Sequence, residues 1–595
     1  MPNITDRAIT GGNYNYQFQE ITELPKKQNL LKMDYNPTSK DSFSVRGRTW
    51  WSDRRGYEGL AAFNSNWDQL RHHYLFAEDS IQAGYTRIFK PTVVNEFSFT
   101  YRILGEIGSA SSASDFDPVV RAKRGITLGQ FDAKLNPLNC IPQLSFGGVP
   151  NAANVSYDGR TPINAGDTRF TYTDNLTWTR GNHTYKFGAY IERNHTSEGP
   201  RSNFGGNFSF GRDVNNPGDT NYAYSNALLG NFQTYTEATT RTTGRGKNYL
   251  LEWFAQDTWK VTSRLTIDYG LRFSYFSPWR LREKEGAAFD LKRYNPAKAP
   301  VFYRPALNAA NQRVAQNPLN GQFAAAVFIG AYVPGTGDPI NGMVLATDKD
   351  YPDGFIEHEP VQFGPRVGFA YDVFGNGKTA IRGGFGVTKQ TTPSVGQFNG
   401  GPPFNPPLQF NPQIFYGNLD TFLSASGVLL PGNITGYERD NKTPSVYNYS
   451  LGVQRDIGFN TVLDVSYVGN VGRHLIQSRQ LNTVPYGARF LAANIDPTDP
   501  AKTRALPDNF FRPFPGYQNV NYIEFSGTSN YNALQVSANR RFAKSVQFGV
   551  AYTWSKAMDF TSGDGGNLPL YRPYKAWLYG KSSFDQTNVL VFNYT

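Results

Sequence analysis

The residues with the most recognisable chemistry are Gly375-Asn376-Gly377-Lys378-Thr379, which read like the end of a phosphate-binding loop. The first glycine of such a loop would fall at Asp372, and the segment joins two strand patterns rather than a strand and a helix. A phosphate cradle needs a helix N-terminus, so this reading fails. The chain has 6 His residues, and none forms an HExxH pair. His358 lies between Glu357 and Glu359, a triplet that offers ligands to a cation only if further ligands converge on it. His72 and His73 are adjacent and would point to opposite faces of a strand, against shared ligation. With 1 Cys, at Cys140, the chain can hold neither an internal disulfide nor a cysteine-based metal centre. No nucleophile elbow and no assignable Ser/His/Asp set is present. The sequence therefore assigns no catalytic residue, no metal and no cofactor, and the expectation is a protein that is not an enzyme.

Chemistry of a softer kind remains. Between Thr391 and Tyr416, Phe398, Phe404, Phe410, Phe415 and Tyr416 are interleaved with Gly and Pro. Aromatic rings on a loop can stack on sugars or apolar ligands, or can simply tie the loop down. Both readings stay open for these five residues, which are the candidate ligand-binding set.

The elements that must position such loops repeat with a rhythm. Leu250 to Val261 and Leu265 to Tyr275 form the clearest pair. Leu265, Ile267, Tyr269, Leu271, Phe273 and Tyr275 fall on one face, and Thr266, Asp268, Gly270, Arg272 and Ser274 on the other. That alternation is a strand with one apolar and one polar face. Similar pairs are predicted at Asn29–Asn36 with Ser42–Trp50, Ser80–Phe89 with Val93–Leu104, and Thr168–Trp178 with His183–Arg193. Others follow at Phe363–Phe374 with Lys378–Lys389, Ser445–Arg455 with Asn460–Asn470, and Tyr531–Phe542 with Ser545–Trp554. An eighth begins near Phe584. Asn376-Gly377 between two alternating runs is a strong hairpin signal. Long excursions separate the pairs, roughly 51–79, 105–167, 195–247, 278–362, 391–444, 471–528 and 558–583. Part of 228–241 reads as further strand.

Short turns on one side and long loops on the other are the layout of an outer-membrane barrel. Most segments have about 10 residues, enough for a tilted strand to cross the hydrocarbon layer. Aromatics flank the short turns at Phe89, Trp178, Tyr185, Trp259, Phe374 and Phe542, as an interfacial girdle requires. Asp257 is the misfit, in phase with Trp253, Ala255 and Trp259.

Composition agrees. The chain has 595 residues, with 58 Gly, 37 Pro and 15% aromatics. Its mean hydropathy is −0.51, and no apolar run reaches the about 20 residues of a membrane helix. The net charge is +11, but Lys and Arg are scattered rather than gathered in a stripe, which argues against nucleic acid as a partner. The N-terminus shows no basic start followed by an apolar core. The last residues stop inside a strand pattern. The expectation is a piece of a barrel that lacks signal peptide, plug and C-terminal strands, with 1–595 as partial barrel.

If the apolar faces meet lipid, the other faces line a lumen. Glu252, Asp268, Arg272, Arg366, Asp372, Arg382, Asp464 and Arg540 are then the lumen-facing charges. Both signs suit a lumen filled by water or a plug. A soluble β-sandwich would bury the apolar faces instead, and periodicity alone leaves that secreted, soluble alternative open.

Four strings carry a family resemblance. FAQDTWKVTSRLTIDYGLRF (254–273) resembles a hairpin of TonB-dependent receptors, and FGPRVGFAYD (363–372) resembles the next. TPSVYNYSLGVQR (443–455) and VSYVGNVGRHL (465–475) are similar to the large, Oar-like branch of that family. The resemblance implies an all-β, antiparallel transmembrane barrel with long extracellular loops, of which about 14–16 strands of about 22 lie in this chain. It implies an outer-membrane location, with lipid and lipopolysaccharide as surroundings, and import of a small-molecule, glycan or peptide ligand. Energy would come through the TonB complex and a plug domain. The alternative reading is a passive porin or a barrel-based surface adhesin.

Overall fold

A computed structural model describes residues 3–595, apart from positions 7, 9–10, 13, 20, 22, 57–71, 111–116, 118, 157–162, 200–203, 215, 392–400, 426, 441, 544, 564–566 and 569–577. Fifteen strands form one wall. They are β1 (Lys26–Tyr35), β2 (Asp41–Gly56), β3 (His72–Lys90), β4 (Val93–Ala110), β5 (Ile163–Arg180), β6 (His183–Glu198), β7 (Gly244–Lys260) and β8 (Leu265–Phe276). The series continues with β9 (Gln362–Asp372), β10 (Thr379–Lys389), β11 (Ser445–Gly458), β12 (Thr461–Gln480), β13 (Tyr517–Ala543), β14 (Val546–Asp559) and β15 (Asn588–Tyr594). Each pairs antiparallel with the next in chain order. Among the described residues β1 and β15 do not pair with each other, so the wall is an open meander.

All seven predicted hairpins are present, and the partial eighth is β15. In this order every short turn falls at one end of the wall and every long connection at the other. Turn chemistry explains the short end. Phe459 and Asn460, between β11 and β12, have φ of 54° and 57°, the left-handed pair that matches the twist of a two-residue hairpin. Between β9 and β10 the Asp372 carboxylate accepts from the amides of Gly375 (3.0 Å) and Gly377 (2.9 Å). The loop that resembles a phosphate cradle is thus a hairpin whose amides are taken by the chain's own carboxylate.

The wall is taller than the periodicity predicts, mostly at the long-loop end. β2 runs to Gly56 rather than Trp50, β12 to Gln480 rather than Asn470, and β13 starts at Tyr517 rather than Tyr531. At about 3.3 Å per residue, the 27 residues of β13 far exceed a bilayer core of about 30 Å even when tilted. The extra length stands above the membrane, where no lipid enforces apolar alternation.

Burial decides which face is which. In β6, Glu192 and Asn194 are 7% and 6% exposed, while the intervening outward phase carries Phe187 at 41% and Ile191 at 47%. Trp253, Phe363, Phe369, Leu451, Tyr467 and Trp554 are likewise exposed. Polar inside and apolar outside inverts a soluble sandwich and is what a lipid-facing wall requires. Among the described residues no helix is long and apolar enough to cross a membrane; the strands do the crossing.

The buried apolar cores lie mainly in the long loops. Three loops contribute to a small four-stranded sheet of Gln143–Ser145, Asn207–Ser209, Thr234–Thr236 and Gln413–Phe415. Phe208, Phe210, Phe232, Tyr235, Ile414 and Phe422 pack as its core. The stretch 228–241 therefore ends a short helix, Ala223–Leu228, and supplies a loop strand, not a wall strand. A second core joins Trp279, Val344, Phe355, Tyr437 and Phe525 across two loops and the raised end of β13. Each fully buried Phe contributes about 1.5–3 kcal/mol, so the loops are held as a folded layer over one mouth of the wall.

Candidate functional site, a charged inner wall beneath a folded loop layer

The pairing register lines up polar side chains in rows across the inner face. One row runs Arg48, Ser80, Arg102, Arg169, Asn194 and Asn248 over β2 to β7. Glu78 sits between two of its arginines, 2.7 Å from Arg102 and 3.4 Å from Arg48. Asn194 donates to Glu192 at 2.7 Å and to Asn248 at 2.9 Å, and accepts from Arg169 at 2.9 Å. Two rows nearer the short turns, Glu252 accepts from Arg272 Nε (3.0 Å) and Nη2 (2.5 Å) and from Ser274 (2.6 Å). These paired charges leave a wet, two-signed surface rather than a column of one sign.

Glu252, Asp268, Arg272, Arg366, Asp372, Arg382 and Asp464 all lie in the inward phase by register. Arg382 and Asp464 line one concavity with Gln454 and Gln535. Arg540 does not belong with them. It pairs opposite Phe548, in phase with the exposed Leu534, on the outward face. A bulge between Arg540 and Ala543 and the weak alternation of Ala, Ser and Asn upstream hid this in the sequence. Being beside a short turn, Arg540 sits at the membrane rim, where a charge costs little.

Asp257, the misfit, is outward and only 4% exposed. His183 Nδ1 lies 2.7 Å from its Oδ2, and the Tyr269 hydroxyl donates to the same oxygen at 2.8 Å. Trp259 and Tyr185 stack on either side of His183. The carboxylate is thus shielded by rings in the rim girdle.

Of the loop aromatics, Phe398 lies outside the described residues. Phe404, Phe410, Phe415 and Tyr416 are half-buried. Phe415 packs edge-on against Phe328 at 6.2 Å, and the Tyr416 hydroxyl donates to Asp213 at 2.7 Å. The four therefore belong to a fixed surface rather than to a free loop.

A family model for the outer membrane beta barrel domain matches residues 1–595. The chain belongs to the outer membrane beta-barrel domain family. No curated protein matches it. Among solved structures, the outer membrane transporter YddB of Escherichia coli is 10% identical with a TM-score of 0.46, covering 96% of this chain and 54% of that one. The copper transporter OprC is 10% identical, at 0.41, 90% and 53%. The ferric yersiniabactin uptake receptor FyuA of Yersinia pestis is 9% identical, at 0.40, 96% and 56%. The chain spans about half the length of these proteins.

In this outer-membrane barrel the histidine triplet disperses. Glu357 pairs with Arg439 at 2.6 Å and Glu359 accepts from the Thr443 amide at 2.7 Å. His358 bonds Tyr275 at 2.8 Å and also Arg280. No group of three metal-ligating side chains occurs among the described residues. Cys140 is 1% exposed, and burial pushes its thiol up to about 11. At pH 8 only about one thiol in a thousand is ionised by that value. A maleimide is expected to label Cys140 at least a hundredfold more slowly in the folded barrel than in 8 M urea. Equal rates would show that the loop core is open.

The residues that sequence reasoning missed are the loop staples. Asn405 donates to the carbonyls of Ala287 (2.7 Å) and Thr435 (2.8 Å), and Asn482 donates to those of Tyr517 (2.8 Å) and Gln518 (3.0 Å). Glu237 ties the loop after β4 to the loop after β6. Their partners are far away in sequence, so no local pattern announces them.

Proposed function

We propose that this chain is the wall and capture layer of a ligand importer in the outer membrane. The observation that carries the proposal is the combination of a two-signed polar inner wall with a rigid loop layer that holds aromatics at its mouth. The resemblance of 254–273 to TonB-dependent receptor hairpins supports active import, with energy drawn through the TonB complex and a plug domain of the full-length protein. The ligand class is a small molecule, glycan or peptide, bound first by Phe404, Phe410, Phe415 and Tyr416 and then passed along the inner charges. In this reading the barrel makes and breaks no covalent bond of its cargo.

The test is uptake by cells carrying the full-length gene, offered labelled ferric chelates, oligosaccharides and peptides. Import of one class should stop when a protonophore collapses the inner-membrane gradient, and Phe404→Ala with Phe410→Ala should lower it at least tenfold. Uptake that survives the protonophore would identify a passive pore. Binding without uptake would identify an adhesin, and unchanged uptake by a correctly folded double variant would remove the aromatics from the site.

A further inference from the structure

Four neighbouring strands, β9 to β12, form a trough on the inner face of the wall. Two concavities of about 440 and 210 Å³ lie one above the other there and share Ser450 and Val468. The register sets the levels. Arg366, Gly386, Asn448 and Asn470 form the upper row. Arg382, Gly452 and Ser466 stand two rows nearer the short turns, with Gln535 of β13 at their end. The row between holds Gly368, Gly384, Ser450 and Val468, so the floor is lowest where the two concavities meet. Arg366 and Arg382 are exposed, and neither makes a hydrogen bond or an ion pair among the described residues. On the same inner face Arg102, Arg169 and Arg272 are held by Glu78, Glu192 and Glu252. The acids around the trough are engaged elsewhere: Asp268 by Thr258, Asp372 by two turn amides and Asp464 by Ser466. Glu252, within electrostatic range of Arg366, is bonded by Arg272 and Ser274. Two guanidiniums thus stand over a polar trough with no carboxylate bonded to either.

We propose that this trough binds an extended acidic peptide, with carboxylates four residues apart meeting Arg366 and Arg382. The proposal rests on the importer reading above and narrows its cargo. Three features select the ligand. The two arginine levels are four residues apart, about 13 Å along the strands, and side chains i and i+4 of an extended peptide share one face at that same spacing. Asn448, Asn470, Gln454 and Gln535 each offer a donor and an acceptor to the trough, which is what a peptide backbone requires of its surroundings. The inward phase of β9 to β12 carries no aromatic ring, the platform on which a sugar would stack.

The test measures binding of fluorescent nine-residue Gly/Ser peptides to the full-length protein in detergent. One peptide has Glu at its third and seventh positions, the second has Glu at its third and sixth, and the third has Gln at its third and seventh. In the second the carboxylates point to opposite faces, so only one arginine can be met at a time. The first peptide is expected to bind about fivefold tighter than the second and about twenty-fivefold tighter than the third, at about fivefold per guanidinium. Arg366→Gln and Arg382→Gln should each weaken the first peptide about fivefold and leave the Gln peptide unchanged. If either variant loses heat-modifiable mobility, the ranking of the three peptides on the unaltered protein decides. Equal affinity for the three peptides, or no binding of any, overturns the proposal. So does an equal loss for the Gln peptide in the arginine variants. Binding is read apart from uptake: peptide bound with this ranking but not imported would keep the trough and remove the importer. Import of peptides without the ranking would keep the importer and overturn the trough.

Discussion

Replacing Glu237 by Ala should unfold the loop layer and leave the wall standing. Glu237 is 0% exposed, and its carboxylate gathers four donors. They are the amides of Phe131 (2.6 Å) and Asp132 (3.0 Å), the Gln130 side-chain amide (3.2 Å) and the Tyr235 hydroxyl (2.5 Å). Three of these belong to the loop after β4, and the fourth to the loop after β6. Alanine removes the acceptor that the four share; the Gln130 side chain keeps the carbonyls of Asp132 (2.8 Å) and Phe204 (3.0 Å), while the amides of Phe131 and Asp132 lose their carboxylate partner. One such donor costs about 1–3 kcal/mol, and losing a buried, fully bonded carboxylate costs about 3–5 kcal/mol. That exceeds what the opening of a single loop normally requires. Trypsin should then cut in the two loops, at Arg121, Lys123, Arg124, Lys134, Arg212 and Arg241, where the barrel with Glu237 resists it. Glu237→Gln should be intermediate, since it keeps one acceptor oxygen but points an NH2 at donors. The wall ladders do not involve this residue, so heat-modifiable gel mobility should stay. Full protection of the loops in the Ala variant would show that the apolar core alone holds the layer.

This division between wall and layer also sets what the sequence reveals. A hairpin is a local object: alternation gives the face and the turn residues give the reversal, so Leu265 to Tyr275 is readable by itself. The direction of that face is not local. The same period of two describes a strand facing lipid and a strand facing a core, and only the burial of Glu192 beside the exposure of Ile191 separates them. The raised ends of β12 and β13 escape because water wets both their faces or loops cover them, so no alternation is enforced. Arg540 escapes for a related reason: its charge suggested the inner face, while the register beside a bulge sets the outer one. The loop staples escape altogether, because Glu237 and Phe131 are 106 residues apart and nothing in either local string names the other.

The inner wall yields the second large effect. Glu252→Arg places a third guanidinium where Arg272 and Arg366 already stand, and removes the acceptor for both Arg272 and Ser274. The Glu252 side chain is 12% exposed and that of Arg272 31%, so water screens the pair in part. The cost is therefore set at roughly 2–4 kcal/mol, below the figure for a fully buried pair. Unfolding by urea from a bilayer should shift by that amount. The double variant Glu252→Arg, Arg272→Glu restores one acid beside one base on a diagonal of the β7–β8 register, in which position 252 lies opposite Ser274 and position 272 opposite Phe254. It should recover about half of the loss, the remainder being the Ser274 bond, which the swapped carboxylate no longer meets in the same place. A coupling energy of at least about 1–2 kcal/mol in the resulting cycle is the signature of a direct pair. Simple additivity of the two single variants would mean that each charge is held by lumen water rather than by its neighbour. In that case the inner face would act as a solvated lining whose charges move independently. A coupled pair instead presents a fixed pattern of charge on the inner face.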